Sequence, residues 1–151
     1  MERVILVRYG EIGLKRANRA AFVAQLARNL RDRLPGVRVE NRFDHLVLRG
    51  AHAPWVLERL QRTFGVVSTS PALEVAPELD AMEAAAQVLV AELAPRPGTT
   101  FKVETHRRDK TFPLTSPEVN RELGRRLLAR FPELVARMKD PEVHLRVDIR
   151  D

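Results

Sequence analysis

Apolar and polar positions follow two rhythms along the chain, and each change of rhythm marks an element. The β-branched run Val4 to Val7 ends shortly before Gly10 and predicts a buried strand. From Asn18 to Leu34 the period lengthens: Phe22, Leu26, Leu30 and Leu34 recur at four-residue steps, which predicts a helix with Asn18 as its N-cap and Pro35-Gly36 as its stop. Val37 and Val39, then Leu46 to Leu48, predict two short strands joined by a turn over Asn41 to Asp44. A second helix opens at Pro54, is expected to bury Val56, Leu57, Leu60 and Phe64, and stops at Gly65. "VVSTS" is the next strand. The order strand, helix, strand, strand, helix, strand is the split βαβ arrangement of a ferredoxin-like domain, with a boundary that assigns residues 1–75 to it.

After "SPALEVAPELD" the pattern restarts, so residues 76–151 form a second domain. Asp80 and Glu83 have the spacing of a capping box on an alanine-rich helix that carries Met82, Ala86, Leu89, Val90 and Leu93. Phe101, Val103 and Thr105 alternate with Lys102, Glu104 and His106, as in a strand with one wet face. Ser116 as N-cap and Pro117 in the first turn open a further helix with the stripe Val119, Leu123, Leu127 and Phe131, and with Arg121, Arg125 and Arg126 on its other side. "LVARM" is a candidate short strand, Asp140-Pro141 a turn, and Val143, Leu145, Val147 and Ile149 the apolar side of the last strand. That apolar side calls for a neighbour, and further chain beyond it is expected.

Charge sharpens this picture. Lys and Arg number 26 against 20 Asp and Glu, a formal +6, yet from Thr63 to Pro95 there is not one Lys or Arg. The excess sits in the flanking segments and favours a polyanionic partner. No run approaches the roughly 18 apolar residues of a membrane span, and the apolar run at the N-terminus is too short for a signal peptide, so the expected address is the cytoplasm. With no cysteine, disulfides, thiolate metal sites and persulfide carriage are excluded within these residues. Four scattered histidines (His45, His52, His106, His144) form no metal-ligand spacing, and no metal site or nucleophilic triad is expected.

Two clusters carry the candidate chemistry. In "RYGEIGLKRANRAAF" (Arg8 to Phe22), a strand, a glycine-bearing loop and a helix start can cradle an anion, with Lys15, Arg16 and Arg19 at the rim. The alternative is that Gly10 and Gly13 only permit tight turns and the cations are solvated. No Gly-Lys-Ser/Thr triplet and no G-x-G-x-x-G spacing accompany the glycines, which excludes the common nucleotide loops. In "HRRDKTF", His106, Arg107, Arg108 and Lys110 crowd a strand end beside Phe112, a pattern suited to phosphates and unpaired bases.

The first stretch resembles the opening signature of the tRNA 4-thiouridine synthetase family, the tRNA sulfurtransferases linked also to thiamine biosynthesis, in which R-[FY]-G-E-I-x-x-K-x-x-N-R-x-x-F follows the first strand. "FGVVSTSPA", "TFKVETHRRDKTF" and "DPEVHLRVDIRD" resemble later family segments in the expected order. The resemblance implies an α+β chain with an N-terminal ferredoxin-like domain and then a THUMP domain with a mixed sheet, cut short at its C-terminus. It implies tRNA as partner, held through its acceptor end, and no catalytic residue here. ATP and a sulfur-donor protein would act on a pyrophosphatase domain whose Ser-Gly-Gly-x-Asp loop does not occur in these residues. The residues expected to contact RNA are Lys15, Arg16, Arg19, Lys102, Arg107, Arg108 and Lys110 through phosphates, and Asn18 as a helix cap or ribose contact. A small-ligand regulatory module, and a dimerisation module using the last strand, are the competing readings.

Overall fold

The structure, a computed structural model, describes residues 1–10, 16–42, 44–50 and 54–150. The chain divides into two compact units, Glu2–Glu74 and Val75–Asp151, each with its own core.

In the first unit the elements are β1 (Glu2–Tyr9), α1 (Arg16–Arg33), β2 (Arg38–Asn41), β3 (Leu46–Arg49), α2 (Pro54–Gln61) and β4 (Val66–Glu74). The sheet order is β2-β3-β1-β4 and every pairing is antiparallel. Both helical crossovers therefore skip a strand, which is the ferredoxin-like topology. Leu26, Leu30 and Leu34 from α1 and its end, Val56 and Leu60 from α2, and Val7, Leu46 and Leu48 from the sheet are all buried together. Each fully buried leucine stabilises the unit by about 1.5–3 kcal/mol.

The pairings put Glu2, Val4, Leu6 and Arg8 beside Arg49 and Val47, on the sheet face opposite that core. There Arg49, only 6 % exposed, donates to Glu40 Oε1 at 2.7 Å, Glu2 Oε2 at 3.0 Å and Glu74 Oε2 at 2.6 Å. One guanidinium thus ties β3 to β2, β1 and β4. The hydrogen bond from Arg49 holds the Glu40 carboxyl below the usual range, and the bonds to Glu40 and Glu74 raise Arg49 in turn.

The second unit contains α3 (Leu79–Glu92), β5 (Thr100–Arg107), α4 (Ser116–Arg130), β6 (Val135–Ala136) and β7 (Val143–Ile149). Its three strands lie in the order β6-β5-β7 and run parallel. Phe101 and Val103 pack with Val119, Leu123, Leu127, Met82 and Val90. The short strand expected in "LVARM" is β6.

Several local expectations are corrected. Asn18 lies inside the first turn of α1 rather than ahead of it, so it is not the cap. The cap of α4 is Thr115, not Ser116, because only Thr115 places Glu118 at the third helical position: its hydroxyl accepts from Glu118 N and Glu118 Oε1 accepts from Thr115 N at 3.0 Å. The residue before α3 is Glu78, with no side-chain cap, and Asp80 instead binds Arg126. Leu93 falls just past α3 and is exposed. Phe64, expected in the core, is 90 % exposed, because α2 ends at Gln61 and a turn then carries the chain away. Leu57, also expected inside, is exposed.

Candidate nucleic-acid interface

The first basic cluster begins where β1 ends. Gly10 N donates to Gly65 O at 3.4 Å, joining the exit of β1 to the start of β4. Gly10 does not have a positive φ, and a Cβ there would meet Val67 Cγ2 at an ordinary 3.5 Å, so sterics do not demand glycine at this position. Gly13 and Lys15 lie outside the described residues, as does the side chain of Arg16, whose backbone opens α1. Asn18 is exposed on the first turn, and Arg19 is half-buried and engaged.

The second cluster is a braced loop. Arg107 Nη1 donates to Phe112 O at 3.0 Å and to Leu114 O at 3.2 Å. Asp109 Oδ1 accepts from Thr111 N at 2.9 Å and from Thr111 Oγ1 at 2.6 Å, which holds its carboxyl below the usual range. The backbone N–H groups of Arg108 and Asp109 both donate to Ile149 O, at 2.9 and 3.1 Å, so the loop is fastened to the end of β7. Phe112 is buried in the core and anchors the loop from below. Lys110 is exposed, and its Nζ donates only to Arg107 O at 3.2 Å. Arg108 lies 3.8 Å from Asp148 and keeps 45 % of its side chain exposed.

Beside the loop lies the wet face of the sheet. Parallel register sets Lys102 against His144, Glu104 against Arg146 and His106 against Asp148. Glu104 pairs with His144 at 2.5 Å and lies 3.8 Å from His106, and the His144 bond lowers its carboxyl. Parallel sheets are ordinarily covered on both faces. Here His106, His144, Arg146 and Asp148 are exposed. Among the described residues, Lys102, Lys110 and Arg146 make no ion pair.

The cations of α4 contrast with these. Arg126 bonds Asp80 at 2.9 Å, Glu83 at 2.7 Å and Glu122 at 3.0 Å, and Arg125 bonds Glu122 at 2.5 Å. Those two arginines pull the Glu122 carboxyl down to about 2. Arg126 is a structural tie between α3 and α4 while Arg125 pairs within α4, and of the three arginines on that side only Arg121 makes no ion pair among the described residues. Arg146 was missed by sequence reasoning, although the strict alternation of β7 already assigned it to the polar side.

Among the described residues no group of three or more His, Cys, Asp or Glu side chains is arranged to hold a metal, and no helix is long and apolar enough to cross a membrane.

An antiparallel ferredoxin-like unit followed by a parallel sheet that carries helices on one face and basic side chains on the other defines a two-unit α+β protein. Family models match accordingly: a ThiI ferredoxin-like domain over residues 4–70 and a THUMP domain over residues 76–151. The chain belongs to the tRNA 4-thiouridine synthetase family, through its ThiI ferredoxin-like and THUMP domains. It is 40% identical over 151 residues to a tRNA sulfurtransferase of Latilactobacillus sakei and 40% identical to that of Listeria innocua, covering 97% of this chain and 37% of each relative. It thus spans little more than a third of the curated relatives it matches. A crystal structure of a 4-thiouridine synthetase–RNA complex with bound ATP matches 99% of this chain and 39% of its own, with a TM-score of 0.87 at 30% identity. PH1313 from Pyrococcus horikoshii matches with a TM-score of 0.82 at 28% identity, covering 99% of this chain and 51% of its own.

Proposed function

We propose that these two domains hold tRNA through its acceptor end, so that an ATP-pyrophosphatase domain of the whole protein can thiolate a uridine. The observation that carries this reading is the contrast in cation use: Lys102, Lys110 and Arg146 stand without ion pairs on the wet face of β5 and β7 and the adjoining loop, while Arg126 is consumed between helices. The bound RNA in the similar 4-thiouridine synthetase structure supports it.

In this reading Lys102, Arg108 and Lys110 neutralise phosphates, joined by Arg146. Arg107 holds the loop that presents them and has Nη2 left for a phosphate. From the first domain Lys15, Arg16 and Arg19 add charge, and Asn18, whose exposure on the first turn of α1 supports the assignment, contacts a ribose hydroxyl. Such contacts position RNA, and selection then rests on shape and unpaired bases. Neither cysteine nor a Ser-Gly-Gly-x-Asp loop occurs in the 151 residues, and in this reading ATP and the persulfide act on the pyrophosphatase domain of the whole protein.

The test is a salt-titrated gel shift of this chain with intact tRNA, tRNA trimmed of its 3′ tail, and duplex RNA. Tightest binding to intact tRNA, weakened by trimming, is expected; equal indifference to all three overturns the reading. The dimerisation alternative draws on β7, which pairs on one side only among the described residues, and sedimentation of the free chain tests it.

A further inference from the structure

Phe64 is the most exposed large apolar side chain described, at 90 %, and the backbone that presents it is tightly determined. Val66 N donates to Thr63 O at 3.3 Å, closing a turn with Phe64 and Gly65 at its centre. Gly65 adopts φ +95°, and a Cβ there would lie 2.9 Å from Phe22 Cζ. The turn is seated directly on the core through Phe22, and Gly65 O takes the hydrogen bond from Gly10. One residue further on, the pairing of β1 with β4 shifts register between Arg8 and Tyr9, leaving Val67 as the extra residue. Val67 is 70 % exposed and touches the Gly10 position. A glycine in the left-handed region and a bulge therefore turn two apolar side chains toward solvent where burial would otherwise be favoured.

Two arginines, one in α2 and one just past its end, lead into this turn. Arg62, two residues before Phe64, has 74 % of its side chain exposed and pairs with Glu58 at 3.1 Å. One turn earlier on α2, Arg59 lies over the Trp55 ring at 4.8 Å, and Trp55 is itself 41 % exposed. A protein-docking patch buries a contiguous apolar area. A rigidly mounted, exposed ring with arginines close by in the chain offers what an unpaired base requires: a face for stacking, with charge within reach of its phosphate.

We propose that Phe64 is a stacking platform for an unpaired RNA base, with Val67 flanking the base and Arg62 near its phosphate. This rests on the RNA-binding reading above and assigns it a contact in the first domain. Because the contact is a ring face and not a charge, it contributes affinity that salt does not remove.

The test uses this chain and short single-stranded RNAs carrying 2-aminopurine at one position each, with the matching duplexes as controls. F64A and F64L should each weaken single-strand binding roughly five- to hundredfold, abolish the 2-aminopurine quench, and leave the salt slope, the duplex affinity and the thermal midpoint unchanged. F64W should bind and quench like the original chain. Unchanged affinity in F64A overturns the proposal. So does full affinity in F64L, which indicates an apolar contact without stacking, or altered sedimentation of free F64A, which indicates a second copy of the chain as partner. If the unsubstituted chain binds no RNA at all, the RNA-binding reading itself falls; if it binds and quenches nowhere, only the Phe64 platform does.

Discussion

Arg107 Nη1 lies 3.0 Å from the carbonyl oxygen of Phe112, a residue whose ring is buried in the core beneath it. The strand end is thereby tied to the far side of its own loop, and one of the cations that marks the loop as basic is also what gives it shape. Lys110, three residues on, donates only to a backbone carbonyl from an exposed position. Two basic residues of one cluster therefore differ in what their loss should do.

Arg107→Ala should destabilise the second unit by about 1–3 kcal/mol, because two carbonyl groups lose a charged donor. Lys110→Ala should stay within about 0.5 kcal/mol of the original stability. In RNA titrations Lys110→Ala should reduce the logarithmic salt slope by roughly 0.7 to 0.9. Denaturant melts and salt-titrated binding of the two variants check the pair, and equal stability losses would contradict the division of roles.

Arg49→Ala should be more costly than a surface arginine substitution, about 1–3 kcal/mol, since three carboxylates that are themselves partly exposed lose their shared charged donor. Arg49 also sets an acid limit. Glu40 is held below its ordinary value of 4.5, so the stability it contributes is present above that pH and lost as pH falls through the lower folded value. Urea melts from pH 6 downward should show this loss in the original chain and a flatter profile in Arg49→Ala.

Glu122 should titrate near pH 2, well below 4.5, in carboxyl-selective NMR. Its linkage runs the same way: the contribution is complete above about 4.5 and disappears toward pH 2. Replacing both Arg125 and Arg126 by Ala should return its midpoint toward 4.5, as the hydrogen bonds from those two guanidinium groups are the leading causes of the shift. A midpoint unmoved by the double substitution would show that the pairs Glu122 makes with Arg125 and Arg126 along α4 do not persist in solution.

Gly65→Ala should cost more than Gly36→Ala. Both positions have positive φ, at +95° and +82°, but only at Gly65 does an added Cβ meet a side chain, Phe22 Cζ at 2.9 Å. About 1 kcal/mol is expected at Gly36 from backbone strain alone, and about 2–3 kcal/mol at Gly65, where a packed ring must also move. Equilibrium unfolding of both variants decides it.

Periodicity along the chain was sufficient for the order of the elements and most of their apolar faces, since a strand or helix must show one apolar side to whatever core it joins. Val7, Leu30, Leu60, Leu123 and Leu127 could be placed inside on that ground, and all are fully buried. Spacing could not tell which of two adjacent hydroxyls caps α4, because Thr115 and Ser116 are chemically alike and only the reach of Glu118 separates them. Nor could it distinguish a cation that braces from one that waits for a partner. Arg126 and Arg146 look equivalent as letters, yet one is enclosed by Asp80, Glu83 and Glu122 and the other stands without an ion pair on an open face. Phe64 stands at a helical interval from Leu60, but a glycine-dependent turn faces it outward. Local pattern determined which residues must find a core; the distances between elements remote in sequence, which only packing sets, decided which charges and rings were left for something else.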